Sequence, residues 1–325
     1  MLKQIIATAL LSCALITPQR PSIHMDTTTW LKLHPNEPIY GVTMKVGDKN
    51  ALVNGVEVEL QGTPFVEEDV FYYPLQDLVE LYGDSYDLNG DQVTISARDY
   101  GVYTFTIGST TVTAQDNTVW DNNSQNQQYF LTSAPSYREE PIRAPLFRDN
   151  VVYVPYGFTL NYWDGPKYFK AGTQYVDSNF VIFSNPNLVE EFLGFRIKTK
   201  FDDLPAGQKA SLQCLGVKAE TAEVYQEVEY RGDGFSVFVF RLKEGESDAR
   251  GLDGLISAIT TDDARYATHR GLRVGDSAER AWELYGYDLI YEFGYEVKDG
   301  VVTRLGFHAP YYSACGIYFR YLQLT

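Results

Sequence analysis

The chain has few of the residues on which metal and redox chemistry depend. Its 325 residues include three cysteines and four histidines, and no two cysteines form a C-x-x-C pair. The simplest zinc-ribbon and dithiol redox sites are therefore excluded. The histidines are scattered at positions 24, 34, 269 and 308, with no His-x-His pair. Because copper sites need imidazoles held at a set geometry, we expect no metal and no cofactor.

Basic charge is also scarce, with 27 Lys and Arg side chains against 43 Asp and Glu and a net charge of −16 at pH 7. Nucleic-acid binders need clustered Lys and Arg to displace counterions, and anionic membrane surfaces attract polybasic patches. The composition argues against both kinds of partner and is typical of a soluble chain. No apolar run of ~18 residues follows the N-terminus, so no internal membrane span is predicted.

The first 16 residues have the layout of a secretory signal peptide. Lys3 precedes an apolar run from Ile5 to Ile16, and a polar break follows. This pattern predicts export to the cell envelope or the extracellular space. Residues 10–13 also resemble a bacterial lipobox with Cys13 as the acylated residue, which would add a lipid anchor. The sequence leaves open whether Cys13 is lipidated or removed, and whether Cys214 and Cys315 pair.

A repeated stretch organises the next part of the chain. Residues 144–156, APLFRDNVVYVPY, align without a gap on residues 63–75, shifted by 81 positions. Upstream, residues 105–108 align on residues 44–47 with a shift of 61. The second copy therefore carries about twenty extra residues, within the segment 117–143. Such a repeat indicates an architecture of two similar units.

The first unit is predicted to contain strands, one short helix and further strands. The second is predicted to repeat this order from Tyr103, with its helix degraded at residues 156–160 to as little as a turn, because Gly157 weakens it. Asn54-Gly55 and Asn89-Gly90 are strong hairpin signals, because both turn positions need positive φ. A third hairpin is predicted across Glu67-Glu68-Asp69. Apolar residues at helical spacing predict a helix between Pro74 and Gly83.

The order of these elements resembles the copper amine oxidase N-terminal-like domain, also called the stalk domain, of secreted Gram-positive proteins. The residues that carry the resemblance are Val46-Gly47, Val53-Asn54-Gly55, Pro64-Phe65-Val66, Tyr72-Tyr73-Pro74-Leu75 and Gly83. It covers about residues 40–184 in two copies, and Tyr73 and Gln76 depart from the usual Val and Arg of the family. The resemblance implies an exported, non-catalytic α+β module that holds other domains away from the cell surface.

The composition changes near Asn187, and residues 187–325 are predicted to form a second module. A helix over residues 205–215 is expected to end at Gly216, and a second helix is expected to begin at Asp276 in a capping-box-like sequence. Strands are predicted at residues 223–230, 235–242, 255–260, 289–297, 301–308 and 316–324. Residues 268–277, followed by Tyr285-Gly286, resemble β-lactamase-inhibitor-protein-like and small outer-membrane-lipoprotein-like α+β modules, which implies protein binding.

The sequence contains no assembled catalytic set. A copper amine oxidase needs a cofactor tyrosine in Thr-x-x-Asn-Tyr-Asp/Glu, whereas residues 159–163 are Thr-Leu-Asn-Tyr-Trp. Gly275-Asp276-Ser277 resembles a hydrolase nucleophile motif, but no Asp-x-x-His supplies the base, so Ser277 is interpreted as a helix start. Residues 87–98 have the early spacing of a calcium loop but lack its Gly at position six and its Glu at position twelve.

Aromatic side chains are the one class in excess, with 25 tyrosines in a chain that is 14 % aromatic. Most are expected in cores or in cross-strand pairs. Those predicted to be exposed, and to bind a glycan or a partner protein, are Trp120, Tyr129, Tyr162, Trp163, Tyr311 and Tyr312. For the segment 117–143, packing back onto the body is the alternative to a binding lip.

Together these patterns predict an α+β protein in four parts. They are a signal peptide (1–16), a tether with four prolines (17–39), a two-repeat, mostly antiparallel β stalk domain with short helices (40–184) and a C-terminal helix-plus-antiparallel-sheet interaction module (187–325). We expect a non-enzymatic exported protein that binds an envelope protein or a cell-wall glycan. Two alternatives stay open: a carboxylate-dependent hydrolase of wall material, and an inhibitor of a secreted enzyme.

Overall fold

The computed structural model describes residues 25–98, 101–115, 119–121, 143–156, 158, 174–176, 180–184, 190–220, 224–286 and 293–308. Over these residues the fold is rich in antiparallel strands and has a few short helices, as the sequence predicts. The helices are α1 (Thr27–Leu33), α2 (Leu75–Leu81), α3 (Ala206–Ala210) and α4 (Ala278–Tyr285). The strands are β1 (Gly41–Lys45), β2 (Asn50–Val53), β3 (Val56–Glu59), β4 (Phe65–Glu67), β5 (Val70–Pro74), β6 (Ser85–Asn89), β7 (Gln92–Ala97), β8 (Gly101–Thr106), β9 (Thr111–Ala114), β10 (Val119–Asp121), β11 (Leu146–Arg148), β12 (Val151–Pro155), β13 (Gln174–Val176), β14 (Phe180–Ser184), β15 (Gln213–Glu220), β16 (Tyr225–Arg231), β17 (Phe235–Leu242), β18 (Ile256–Thr261), β19 (Phe293–Lys298) and β20 (Val301–His308).

Two five-stranded sheets interlock the two copies of the repeat. The first sheet has the strand order β13-β14-β1-β2-β3, and the second sheet has the order β6-β7-β8-β9-β10. The first copy supplies three strands to the first sheet and two to the second, and the second copy does the reverse. Because each sheet is completed by the other copy, neither copy alone could form a five-stranded sheet.

A four-stranded third sheet, with the order β11-β12-β5-β4, joins the two repeated hairpins. Tyr73 in β5 pairs with Val154 in β12, and these two residues occupy equivalent positions in the two copies of the repeat. An antiparallel pair of equivalent residues implies an approximate twofold axis that passes between them. The same main-chain hydrogen bond, 2.8 Å long, also occurs in both copies, from Gly47 to Pro64 and from Gly108 to Pro145.

The first core lies between the inner faces of these three sheets and α2. Along β1, Val42 and Met44 point inward, as their alternation predicts, and both are buried. Tyr73 and Phe183 meet edge to face, with 4.8 Å between ring centroids. Helix α2 begins after Pro74, and Gly83 follows it with a φ of 77°. The spacing of apolar residues in the sequence therefore correctly predicts both the inward-facing residues of β1 and the position of α2.

The structure differs from the predicted tether in residues 27–33, where helix α1 packs against the first core. The carboxylate of Asp26 caps this helix by accepting a hydrogen bond from the main-chain N–H of Thr29 at 2.7 Å. Trp30 is only 1 % exposed. One buried tryptophan removes a large apolar area from water, which outweighs the prolines on either side of the helix. Residues 17–24 of the predicted tether lie outside the described residues.

Substitution of Asp26 by alanine is expected to lower the free energy of unfolding by about 1 kcal/mol, the usual effect of losing an N-cap. The loss should appear in urea denaturation followed by circular dichroism. Thr28→Ala is the matched control, since Thr28 is exposed in the same helix and does not cap it. Equal destabilisation by the two variants would contradict the capping role.

Residues 213–308 contain a six-stranded antiparallel sheet with the order β15-β16-β17-β18-β20-β19. One face of this sheet and helix α4 enclose the second core, with Val237, Ile259, Leu284 and Leu305 buried in it. The strands predicted at residues 235–242 and 301–308 have those bounds in the structure. The strand predicted at residues 316–324 lies outside the described residues.

Two predicted helix boundaries in this part are wrong. Helix α3 ends at Ala210, because Gly216 lies inside β15 at a β-bulge with a φ of 90° and does not end a helix. Helix α4 has Ser277 as its N-cap, one residue later than predicted. The carboxylate of Asp276 instead accepts a hydrogen bond from the main-chain N–H of Arg273 at 2.8 Å.

Candidate functional site

Most of the aromatic residues predicted to bind a ligand lie outside the described residues: Tyr129, Tyr162, Trp163, Tyr311 and Tyr312. Cys13, the predicted lipidation site, lies outside them too. For Trp120 only the backbone is described, and it pairs in β10 with Val112 of β9, which is buried in the first core. Ligand binding by these aromatic residues and lipidation of Cys13 therefore stay predictions.

The candidates for catalysis have structural roles in the described part of the chain. Ser277 accepts a hydrogen bond from the main-chain N–H of Arg280 at 3.1 Å. It therefore belongs to the start of α4, as it is interpreted from the sequence, although as the N-cap itself in place of Asp276. His34 lies 2.5 Å from the Glu37 carboxylate, and His269 stacks on Tyr40. Over the described ranges, no group of three His, Cys, Asp or Glu side chains could hold a metal ion.

Two buried carboxylates, Glu227 and Glu229, lie side by side on one face of β16. Glu229 accepts hydrogen bonds from Arg231 at 2.6 Å and from Ser236 at 2.7 Å. Burial raises the pKa of Glu229, but these hydrogen bonds outweigh it and leave the pKa below its usual value. Adjacent carboxylates on one strand do not face each other across a cleft, so this pair does not support acid–base catalysis.

A third buried carboxyl, Asp77, has a strongly shifted pKa. Burial raises its pKa to about 6, although Gln61 and Thr27 donate hydrogen bonds to it. A shifted carboxyl can mark an active site. Here the Asp77 carboxyl, which belongs to α2, is completely buried. It connects α2 to Thr27 of α1 and to the main-chain N–H of Gln61, so its role is structural.

A constellation of buried polar groups lies where the two cores meet, and we call this region the junction. Helix α4 lies there on the outer face of the first sheet, against β1 and β14. The Thr43 hydroxyl donates a hydrogen bond to the main-chain carbonyl of Glu283 at 2.6 Å. The Lys45 ammonium lies 2.6 Å from the Glu283 carboxylate. The first sheet therefore holds the last turn of α4 by two polar contacts.

Arg270 is the centre of the junction, and its side chain is 4 % exposed. Its guanidinium donates three hydrogen bonds of 2.8 Å each, to the Glu190 carboxylate and to the main-chain carbonyls of Leu284 and Tyr40. The Leu284 carbonyl belongs to the last turn of α4, where a cation is favoured by the helix dipole. The Arg270 side chain thus joins three segments: the chain just before β1, the segment that contains Glu190, and helix α4.

Tyr285 completes the surroundings of this guanidinium. The Arg270 guanidinium lies 4.5 Å from the centre of the Tyr285 ring, which favours a cation over its face. The Tyr285 hydroxyl donates a hydrogen bond to the second oxygen of Glu190 at 2.8 Å. Burial, with the Glu190 charge, raises the pKa of Tyr285 well above its usual value. The phenol therefore stays protonated, and both oxygens of the buried carboxylate accept hydrogen bonds.

Close backbone approach at the junction requires glycine at position 55. Gly55 has a φ of 80°, and a Cβ atom built on it would overlap the main-chain carbonyl oxygen of Arg270, at a distance that real Cβ atoms essentially never show. The Gly55 carbonyl in turn accepts a hydrogen bond from Arg280 at 3.2 Å. The Asn54-Gly55 turn that the sequence predicts is therefore also a contact site for Arg270 and Arg280.

The apolar part of the junction comes from the outer face of the first sheet. Leu52 of β2 is 8 % exposed and packs with the second core, whereas its neighbours Ala51 and Val53 face the first core. Phe180 and Ile182 of β14 pack on Trp282 of α4. One sheet therefore contributes side chains to both cores.

The interlocked repeat and its hairpins can be compared with known families. Residues 52–165 match the copper amine oxidase N-terminal domain. The resemblance predicted from the sequence is confirmed over that range. Comparisons with curated proteins and with solved structures found no match. In copper amine oxidases this N-terminal domain is non-catalytic. The matched range includes Leu52 and Gly55 of the junction. Over the described residues, no helix is long and apolar enough to cross a membrane.

Proposed function

We propose that this chain is an exported, non-catalytic protein of the cell envelope. In this proposal the copper amine oxidase N-terminal domain acts as a stalk, and the C-terminal sheet is part of the surface that it presents to a ligand. The ligand is an envelope protein or a cell-wall glycan, as the exposed aromatic residues predicted from the sequence favour. The signal-like N-terminus supports export, and Cys13 provides a lipid anchor if it is acylated.

The observation that carries the proposal is the use of the domain's surface in the junction. The domain has its own core, and the outer face of its first sheet holds helix α4 through Thr43, Lys45 and Leu52. A non-catalytic domain with one face given to holding another part of the chain fits the role of a support. The buried carboxylates of Asp77, Glu190 and Glu229 have structural partners, which favours binding over hydrolysis.

A retention experiment tests this function. Residues 25–325 are immobilised and exposed separately to purified cell-wall sacculi and to envelope proteins. Residue 25 is kept because its carbonyl accepts a hydrogen bond from Glu59 at 2.7 Å. Deletion of residues 122–142 preserves β10 and removes Tyr129. We expect retention of one material, and retention of sacculi that is lost on the deletion would identify the glycan. Retention of neither material would contradict the binding function.

A further inference from the structure

We propose that residues 190–308 do not form an independent module, and that the first sheet is a structural component of the second core. The two cores then fold and unfold as one unit, with the junction as an obligate intramolecular interface. This inference goes beyond the proposed function, because it concerns how the C-terminal sheet is held and does not depend on any ligand. It predicts a rigid orientation of that sheet on the stalk.

Apolar packing continues from the first sheet into the second core. Leu52 belongs to the second core, together with Phe192, Leu272 and Leu284. Without the first sheet, this side of the second core would lose a buried leucine and the packing of α4 on β14. Removal of a buried aliphatic side chain leaves a cavity or exposes its neighbours to water.

A buried charged group at the junction takes hydrogen-bond partners from both sides of it. Arg270 and Glu190 are 3 % and 4 % exposed. One of the three hydrogen bonds of the guanidinium is made to Tyr40, just before β1. Gly41 also leaves the space in which the guanidinium lies, because a Cβ atom there would be 2.6 Å from it. Removal of the first sheet would expose this ion pair and take away one of its acceptors.

The internal twofold relation makes positions in the first sheet equivalent to positions in the second. Thr43 pairs with Leu52 and Ile182 in the first sheet, and the equivalent Thr104 pairs with Thr113 and Thr94 in the second. The repeat therefore equates Leu52 with Thr113 and Ile182 with Thr94. By the same register, Phe180 corresponds to Gln92.

This comparison shows which features belong to the junction and not to the repeat. Three apolar side chains on the outer face of the first sheet replace hydroxyl and amide side chains on the equivalent face of the second. Thr113 and Gln92 are exposed, as is usual for the outer face of an antiparallel sheet. The first sheet therefore has apolar side chains on its outer face where Leu52 joins the second core and where Phe180 and Ile182 pack on α4.

The test uses glycines in two hairpin loops of the full chain, Gly55 between β2 and β3 and Gly90 between β6 and β7. Both have positive φ, of 80° and 64°, but a Cβ atom at Gly90 would meet nothing within 4 Å. Both substitutions place a Cβ atom on a residue with positive φ, and only Gly55→Ala also overlaps the main chain of Arg270. Hydrogen exchange followed by mass spectrometry reports separately on peptides of the first core (β5, β12) and of the second core (β17, β18).

In the unmodified chain, both sets of peptides should lose protection at the same urea concentration. Gly55→Ala should accelerate exchange in the second core by about tenfold or more relative to Gly90→Ala. Separate transitions in the unmodified chain, or equal behaviour of the two variants, would overturn the proposal. If Gly55→Ala does not fold, Leu52→Thr replaces it, with the exposed Val56→Thr as control. The exchange rates of the second-core peptides are then compared between Leu52→Thr and Val56→Thr, and equal rates would overturn the proposal.

Discussion

Replacement of Arg270 by methionine is expected to lower the free energy of unfolding by about 3 to 5 kcal/mol, the usual effect of removing one partner of a buried ion pair. Methionine can fill much of the space of the arginine stem, but it removes the charge that offsets the buried Glu190 carboxylate. It also removes the donors to Leu284 and Tyr40. Urea denaturation at pH 7 measures this loss.

Arg265→Met is the matched control for this prediction. Arg265 also makes three charged hydrogen bonds, of 2.8 to 3.0 Å, to Asp233 and Asp263. Its side chain is 57 % exposed, so water and salt screen these contacts and little stability should be lost. The two variants differ mainly in the burial of the arginine. Similar losses in both would show that the junction is not a buried ionic site.

A second substitution separates the cost of an unpaired charge from the loss of packing. Glu190→Gln, added to Arg270→Met, keeps an acceptor for the Tyr285 hydroxyl and removes the isolated negative charge. The double variant should therefore be more stable than Arg270→Met alone. If the double variant is less stable, the buried charge of Glu190 is not what makes the loss of Arg270 costly.

The local parts of this fold are predictable from sequence because their signals are local. Asn54-Gly55 predicts the hairpin between β2 and β3, since few other residue pairs adopt two positive φ values in succession. The apolar spacing after Pro74 predicts α2. The repeat predicts that residues 144–156 copy residues 63–75, and the pairing of Tyr73 with Val154 shows these copies next to each other.

The exchange of strands between copies is not predictable from such patterns. Residues Gly41–Lys45 and Phe180–Ser184 form one antiparallel pair, although most of the repeat separates them. Alternation predicts the inner face of each strand but does not identify its neighbour. A repeat without exchange would have the same hairpins and the same helix. Only the packing of the complete chain selects one arrangement.

The junction escaped sequence reasoning for a similar reason. Arg270 lies in a stretch that indicated a protein-binding module, but its partners Glu190 and Tyr40 precede it by 80 and 230 positions. The one available signal is the contrast between the copies, in which Leu52 of the first copy and Ile182 of the second each stand where the other copy has threonine. Such a contrast indicates that one outer face is covered, without indicating what covers it. Helix α1 was missed because a single buried tryptophan leaves no periodic pattern.

Neutralising Asp77 is expected to change how stability depends on pH. Burial raises the pKa of this carboxyl from 3.8 to about 6 in the folded chain. Between these values the folded state binds a proton that the unfolded state has lost, so stability falls as the pH rises from about 4 to about 6. A difference of this size corresponds to about 3 kcal/mol. Asp77→Asn removes the titrating group and should remove this decline.

The expected change is in the slope of the free energy of unfolding against pH. Its value at any single pH also changes, because asparagine alters the hydrogen bonds from Thr27 and Gln61. The free energy of unfolding of Asp77→Asn, relative to that of the unmodified chain, should rise by up to about 3 kcal/mol between pH 4 and pH 7. Asp87→Asn controls for the loss of one negative charge, since Asp87 lies exposed in β6. A relative stability of Asp77→Asn that stays constant over this range would mean that Asp77 is ionised at both ends of it. The Thr27 and Gln61 hydrogen bonds would then outweigh burial, and the carboxylate itself, not the acid, would join α1 to α2.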